Sequence, residues 1–213
     1  MTERKAQNAR GTPYSQRRVA VRPVRSRFLI VCEGEKTEPN YFEAIRLKLR
    51  DSDATVSVTI RGKGYNTLSL VQYAVNQKKV DGYNYKKGDQ IWCIFDRDSF
   101  PSQQFNDALS LAGQKGIKVA YSNEAFELWY ILHFEFLNTG ITRAAYIAKL
   151  TKLLNKPYEK NSHEIYDLLE PWQATAIANA KRLLTTYNPS KPEQDNPSTT
   201  VHLLIEELRK YIR

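Results

Sequence analysis

Two short acidic clusters carry the residue types and spacing for chemistry: Glu33 and Glu35 in "CEGE", and Asp96 and Asp98 in "FDRD". In each pair the residues are two apart, so an extended backbone projects both carboxylates to one side. Four carboxylates brought into one crevice repel each other unless a cation neutralises them, and hard oxygen donors suit Mg²⁺ or Mn²⁺. Either pair alone is more readily a solvated loop; both together point to a metal site. Gly34 allows close backbone approach between the first two acids. Lys36 either balances their charge or supports the chemistry, and Arg97, between the aspartates, projects the other way toward a salt bridge or packing contact.

Both clusters follow a strand pattern. The apolar run 28–32 ("FLIVC") reads as a doubly buried strand, and 39–50 follows with Tyr41, Phe42, Ile45 and Leu49 at helical spacing. Residues 54–60 alternate with period two before an amphipathic helix over 67–80. "QIWCIF" at 90–95 is the strongest strand, followed by a helix at 103–115 and a fourth strand at 116–122. Strands separated by helices imply an α/β fold with a parallel sheet, whose ligands collect at the carboxyl ends of the strands. The acidic pairs stand at two such ends.

Beyond Asn123 the pattern is helical, with helices expected at 124–136, 142–155, 164–169, 172–187 and 199–212. Asn123 and Ser198 read as helix caps. The chain thus divides into a basic tail at 1–27, an α/β core at 28–122 and a helical part at 123–213 packed on that core.

A hydrophobic fraction of 41% suits a globular protein, and no apolar run approaches the roughly 20 residues that span a bilayer. The first 27 residues have no apolar stretch behind their charges, so a cytoplasmic protein without a membrane partner is expected. Cys32 and Cys93, both within expected strands, read as small hydrophobes. The net charge of +9 favours a polyanionic partner such as nucleic acid. Much of the excess lies in the tail, which is either a solvated segment or a nucleic-acid arm.

The motifs also carry a resemblance. A strand ending in Glu-Gly, followed two βα units later by one ending in Asp-x-Asp, resembles the TOPRIM domain of topoisomerases, bacterial primases and OLD-family nucleases. More narrowly, "LIVCEGEKTEPNYF", "FDRDSF", "SNEAFELWYILHF" and "NPSTTVHLLIEEL" resemble the RloB-like family associated with abortive infection and restriction loci. The resemblance implies a TOPRIM-like core with Glu33 as the acid-base residue and Asp96 and Asp98 as the metal-binding pair. Many TOPRIM nucleases carry a second acid four residues after that glutamate. Here that position is Thr37, and Glu35 or Glu38 would have to substitute.

Other residues carry two readings each. Glu127, amid Phe126, Leu128 and Trp129, either reaches the crevice or favours its helix N-terminus electrostatically. His133 on the same apolar helix reads as a hydrogen-bonded structural residue rather than a base. Arg61 and Lys63 in "RGKGYN" either contact phosphate or sit in a turn that Asn66 caps. Asn196 and Thr199 are either site residues or part of a capped helix, and His163 and His202 read as surface residues.

The expected function is a Mg²⁺- or Mn²⁺-dependent nuclease acting in defence against phage, on DNA or RNA. Glu33, Lys36, Asp96, Asp98 and Glu127 would be its catalytic residues. Glu33, Glu35, Asp96 and Asp98 would be its metal donors. A non-catalytic subunit that docks on nucleic acid or an ATPase is the alternative, and metal-dependent chemistry on a nucleotide is a third reading. No Walker loop is present, so any ATP-driven step would need a separate ATPase encoded nearby.

Overall fold

The computed structural model describes residues 26–52, 56–62, 64–98 and 101–212. Of the basic tail expected at 1–27, residues 1–25 lie outside the described residues, as does Lys63, whereas Ser26 and Arg27 begin the first strand.

Alternating burial builds the sheet. Strands β1 (Ser26–Cys32), β2 (Val56–Gly62), β3 (Gln90–Arg97) and β4 (Lys118–Asn123) pair in the order β2-β1-β3-β4, and every pairing is parallel. Phe28, Ile30, Cys32, Trp92 and Ile94 face one apolar layer, while Leu29, Val31, Ile91, Cys93 and Phe95 face the other. The two cysteines are free and buried on opposite faces, as small hydrophobes.

From β1 the chain moves outward to β2 through α1 (Thr37–Ser52). It then crosses back over β1 through α2 (Thr67–Val80) to reach β3, and continues through α3 (Ser102–Lys115) to β4. Right-handed crossovers in opposite directions put α1 on one face and α2 with α3 on the other. Tyr41, Phe42, Ile45 and Leu49 of α1 accordingly join the first layer, whereas Leu70, Val71, Phe105 and Ala108 join the second. The direction of strand addition reverses between β1 and β3, so a crevice opens at the carboxyl ends of those two strands.

The remaining helices extend the α1 layer. They are α4 (Glu127–Ile131), α5 (Arg143–Leu153), α6 (Ile165–Leu169), α7 (Gln173–Leu184) and α8 (Val201–Arg209). Trp129, Leu150, Leu169, Leu183 and Leu204 share one apolar cluster with Phe28 and Ile30. No helix among the described residues is long and apolar enough to cross a membrane.

Four local expectations are corrected. The single helix expected over 124–136 shrinks to α4, because Glu124 takes a positive φ of 72° and gives its N–H to the Arg97 carbonyl at 2.8 Å. Asn123 ends β4 instead of capping a helix, and its Nδ2 donates to the Asp195 carbonyl at 2.8 Å. Ser198 does not cap α8. Its carbonyl accepts the Asn123 N–H at 2.7 Å, and the Thr199 hydroxyl accepts the Val201 N–H at 3.3 Å. Thr199 also forms an antiparallel bridge with Ser122, so this segment covers the open edge of β4. His202 is buried at 2% exposure, whereas His163 is exposed as expected.

A closed ring of buried hydrogen bonds ties α1, α4 and α7 together. Trp129 Nε1 donates to Tyr41 Oη at 2.9 Å, Tyr41 donates to Gln173 Oε1 at 3.1 Å, and Gln173 Nε2 donates to His133 Nε2 at 3.2 Å. His133 Nδ1 closes the ring on the Trp129 carbonyl at 2.9 Å. These partners fix the neutral tautomer with its proton on Nδ1, and burial lowers the pKa to about 4. His133 is structural, as its sequence context suggests.

Candidate active site

β1 runs one residue past its last named pair: the Glu33 N–H donates to the Ile94 carbonyl at 2.9 Å, and the Glu33 carbonyl accepts the Gly64 N–H at 2.8 Å. Glu33 is thereby fixed over the switch point between β1 and β3. Its Oε2 accepts the Asp96 N–H at 3.2 Å, so the two acidic clusters meet.

Gly34 leaves room for the next acid. A Cβ there would lie 2.2 Å from Glu38 Oε2, because the Glu38 side chain folds back from the first turn of α1 over residue 34. Glu38 is buried at 6% exposure and Glu127, at the start of α4, at 3%. Glu127 Oε1 accepts the Tyr158 hydroxyl at 3.2 Å and lies 3.8 Å from Lys160 Nζ. Lys160 is held in place through its backbone. Its carbonyl accepts from Thr37 Oγ1 at 3.2 Å, and the neighbouring Asn161 carbonyl accepts from Asn40 Nδ2 at 3.1 Å.

Across the crevice, Arg143 Nη2 lies 3.5 Å from Asp96 Oδ2 and 4.0 Å from Asp98 Oδ2, and donates to the Glu124 carbonyl at 2.9 Å. Glu33, Glu38, Asp96, Asp98 and Glu127 thus line one cavity of about 480 Å³ with Arg143 and Lys160. Five carboxylates face two cations.

The imbalance appears in the proton affinities. Burial pushes Glu33 up to about 7, with Asp98 and Glu38 adding to the rise while the Asp96 N–H and Arg143 oppose it. Burial, then Glu38 and Glu127, hold Asp96 well above the usual carboxylate range. Burial and the nearby Glu127 also raise Glu38, against hydrogen bonds from the Glu38 and Gly34 amides. Carboxylates in this state prefer a proton or a cation to bare charge. Their hard oxygens fit Mg²⁺ or Mn²⁺ chemically. Among the described residues, no three Asp, Glu, His or Cys side chains are gathered around one point, and Arg143 serves as counter-ion to both aspartates.

Of the residues singled out from sequence, Glu33, Asp96, Asp98, Glu127 and Glu38 line the cavity. Glu35 is exposed and outside that lining, its Oε1 lying 3.1 Å from where a Gly64 Cβ would stand. Lys36 and Arg61 are exposed and also outside it. Arg97 turns away to donate from Nε to the Glu193 carbonyl at 3.2 Å. Asn196 is exposed beside Gly140, and Thr199 serves the β4 edge.

Arg143 and Lys160 were not visible as site residues in the sequence. One signal for Arg143 existed: it is the first residue of α5, directly after the capping Thr142, where a cation opposes the helix dipole. A cation at that position needs nearby negative charge, which Asp96 and Asp98 provide. Lys160 sits in a loop with no comparable signal.

A family model described as RloB-like protein matches residues 28–208, from β1 to the last turn of α8. No curated protein and no solved structure matches the chain.

Proposed function

The chain belongs to the RloB-like family, and from that premise we propose that it is a divalent-cation-dependent nuclease with a TOPRIM-like core, acting in anti-phage defence. The observation that carries the reading is the cavity where five carboxylates outnumber two cations at the carboxyl ends of β1 and β3. Asp96, Asp98 and Glu38 would hold Mg²⁺ or Mn²⁺ once their side chains close in from the metal-free arrangement and Arg143 gives up its ion pairs; of the two substitutes the sequence offered, Glu35 and Glu38, only Glu38 lines the cavity. The bound ion would supply Lewis-acid stabilisation of charge on the phosphoryl oxygens.

The chain's own groups do the rest. Arg143 and Lys160 hold the phosphodiester and offset its developing charge, the part that Lys36, Arg61 and Lys63 suggested from sequence. Glu33, with an affinity for protons near neutrality, takes one from the attacking water as the water oxygen bonds to phosphorus. As the opposite P–O bond breaks, the departing alkoxide receives a proton from Glu33 or solvent. Nucleic acid is the partner, and the absence of a Walker loop makes a separate ATPase the natural source of any ATP-driven step.

One observation favours a second reading. Arg143 is counter-ion to both Asp96 and Asp98, so the aspartates are partly neutralised without a metal, as a non-catalytic binding subunit would allow. Incubating the protein with DNA, RNA and nucleotides, with and without Mg²⁺ or Mn²⁺, beside Asp96→Asn, separates the two. Metal-dependent cleavage lost in Asp96→Asn supports the nuclease, and binding without cleavage supports the subunit.

A further inference from the structure

Tyr65 has no part in the mechanism above, yet it lines the carboxylate cavity. Three aromatic residues among those described are well exposed, Tyr65 at 40%, Tyr85 at 37% and Trp172 at 52%, and of these only Tyr65 borders that cavity. Its loop is tied at both ends. The Gly64 N–H, at a positive φ of 60°, reaches the Glu33 carbonyl, and Asn66 Oδ1 caps α2 by accepting the Ser69 N–H at 2.9 Å. The ring is also set from the side by Tyr73, which meets it in a T-shaped contact at 5.7 Å between centroids. Tyr73 packs in turn against the α2–α3 apolar layer.

A rigidly presented aromatic that remains in water contributes little to folding, since burial is what rewards an apolar ring. Beside a phosphate-directed site, the same ring offers a flat surface to a nucleobase. We propose that Tyr65 is the stacking platform for an unpaired base next to the phosphate held by Arg143. The substrate class of the site is then single-stranded nucleic acid; the inference rests on the nuclease reading above. In a duplex both faces of each base are covered by its neighbours in the stack, so only an unstacked base can use the ring. Every base has such a face, so the platform selects strandedness rather than sequence.

The test compares labelled single-stranded DNA, single-stranded RNA and the matching duplexes, by anisotropy and by cleavage with Mg²⁺. It uses wild type, Tyr65→Ala and Tyr65→Phe, together with a series of single strands carrying one abasic position each. Tyr65→Ala should weaken single-strand binding by roughly tenfold or more and raise KM with kcat little changed, while Tyr65→Phe stays close to wild type. One abasic position should weaken wild type but leave Tyr65→Ala unaffected, a coupling that a purely structural tyrosine would not give. Preference for DNA or RNA identifies the source of the base. Equal binding by wild type and Tyr65→Ala, or duplex bound as well as single strand, overturns the proposal even if cleavage is robust. Single-strand binding that depends on Tyr65 without any cleavage keeps the proposal and removes the nuclease reading. No binding to any nucleic acid removes both.

Discussion

The segment from Glu127 to His133 contributes to two polar clusters that obey opposite rules. In the ring of Trp129, Tyr41, Gln173 and His133, each donor meets an acceptor and no charge is present. In the cavity, reached by Glu127 from the same segment, five carboxyl groups crowd together and two cations only partly offset the charge they would carry. A matched ring specifies packing, and removing a member should cost stability alone. A mismatched cluster costs stability while it stands, which is the pattern expected where a site is held ready for a partner.

The largest expected effect separates the two clusters by activity. Asp96→Asn keeps the side-chain size and removes one negative charge; it should lower cleavage by orders of magnitude, because Lewis-acid stabilisation is worth several kcal/mol. Tyr41→Phe, in the ring, should leave kcat within about twofold, since it touches no reacting group. Steady-state kinetics on both variants checks the contrast.

A second contrast lies in pH, measured by denaturant unfolding in chelator. His133 is depressed from 6.5 to about 4 in the fold, so its contribution is present above pH 6.5 and is lost as pH falls toward 4, by roughly 3 kcal/mol. Glu33 is raised from 4.5 to about 7, so its contribution is present below pH 4.5 and is lost as pH rises through 7, by a similar amount. The opposing slopes should partly cancel in wild type. Asp96 and Glu38, also raised, add to the Glu33 slope, so Glu33→Gln should make stability fall more toward acid than in wild type, and a slope unchanged by that substitution would contradict the assignment.

Within the ring, Tyr41→Phe removes the oxygen that accepts from Trp129 and donates to Gln173. Leaving both partners unpaired should cost about 2 kcal/mol, read as a lower denaturation midpoint at constant m-value. The smallest expected change in stability belongs to Gly34→Ala, at roughly 1 kcal/mol or less, because the Glu38 carboxylate can swing aside. That movement should nevertheless weaken Mn²⁺ binding severalfold if Glu38 is a donor.

The sequence made the frame legible because its signals are local. Apolar runs at 28–32 and 90–95 became β1 and β3, their acidic ends marked the switch point, and Asn66 capped α2 as its type suggests. What escaped depended on contacts distant along the chain. Asn123 was drawn from capping to the Asp195 carbonyl, and Glu124 was bent into a positive φ by the Arg97 carbonyl, which cut the expected long helix short. Arg143 and Lys160 enter the cavity only because the helical part folds over the carboxyl edge of the sheet. The choice of Glu38 over Glu35 for the cavity lining was equally hidden, since it follows from the α1 turn folding a side chain back over Gly34.

The central claim is that the carboxylate excess around Asp96 is a divalent-cation site, and calorimetric titration of Mn²⁺ into metal-free wild type and Asp96→Asn tests it most directly. Saturable binding in wild type should weaken by roughly tenfold or more in Asp96→Asn, as loss of a direct donor costs at least what loss of a supporting contact does. The metal-free melting temperature of the variant should hold or rise, because one repelling carboxylate is gone. No saturable Mn²⁺ binding in wild type, or equal affinity in both proteins with Asp96→Asn melting lower, would contradict the account and leave Asp96 as an ion-pair partner of Arg143.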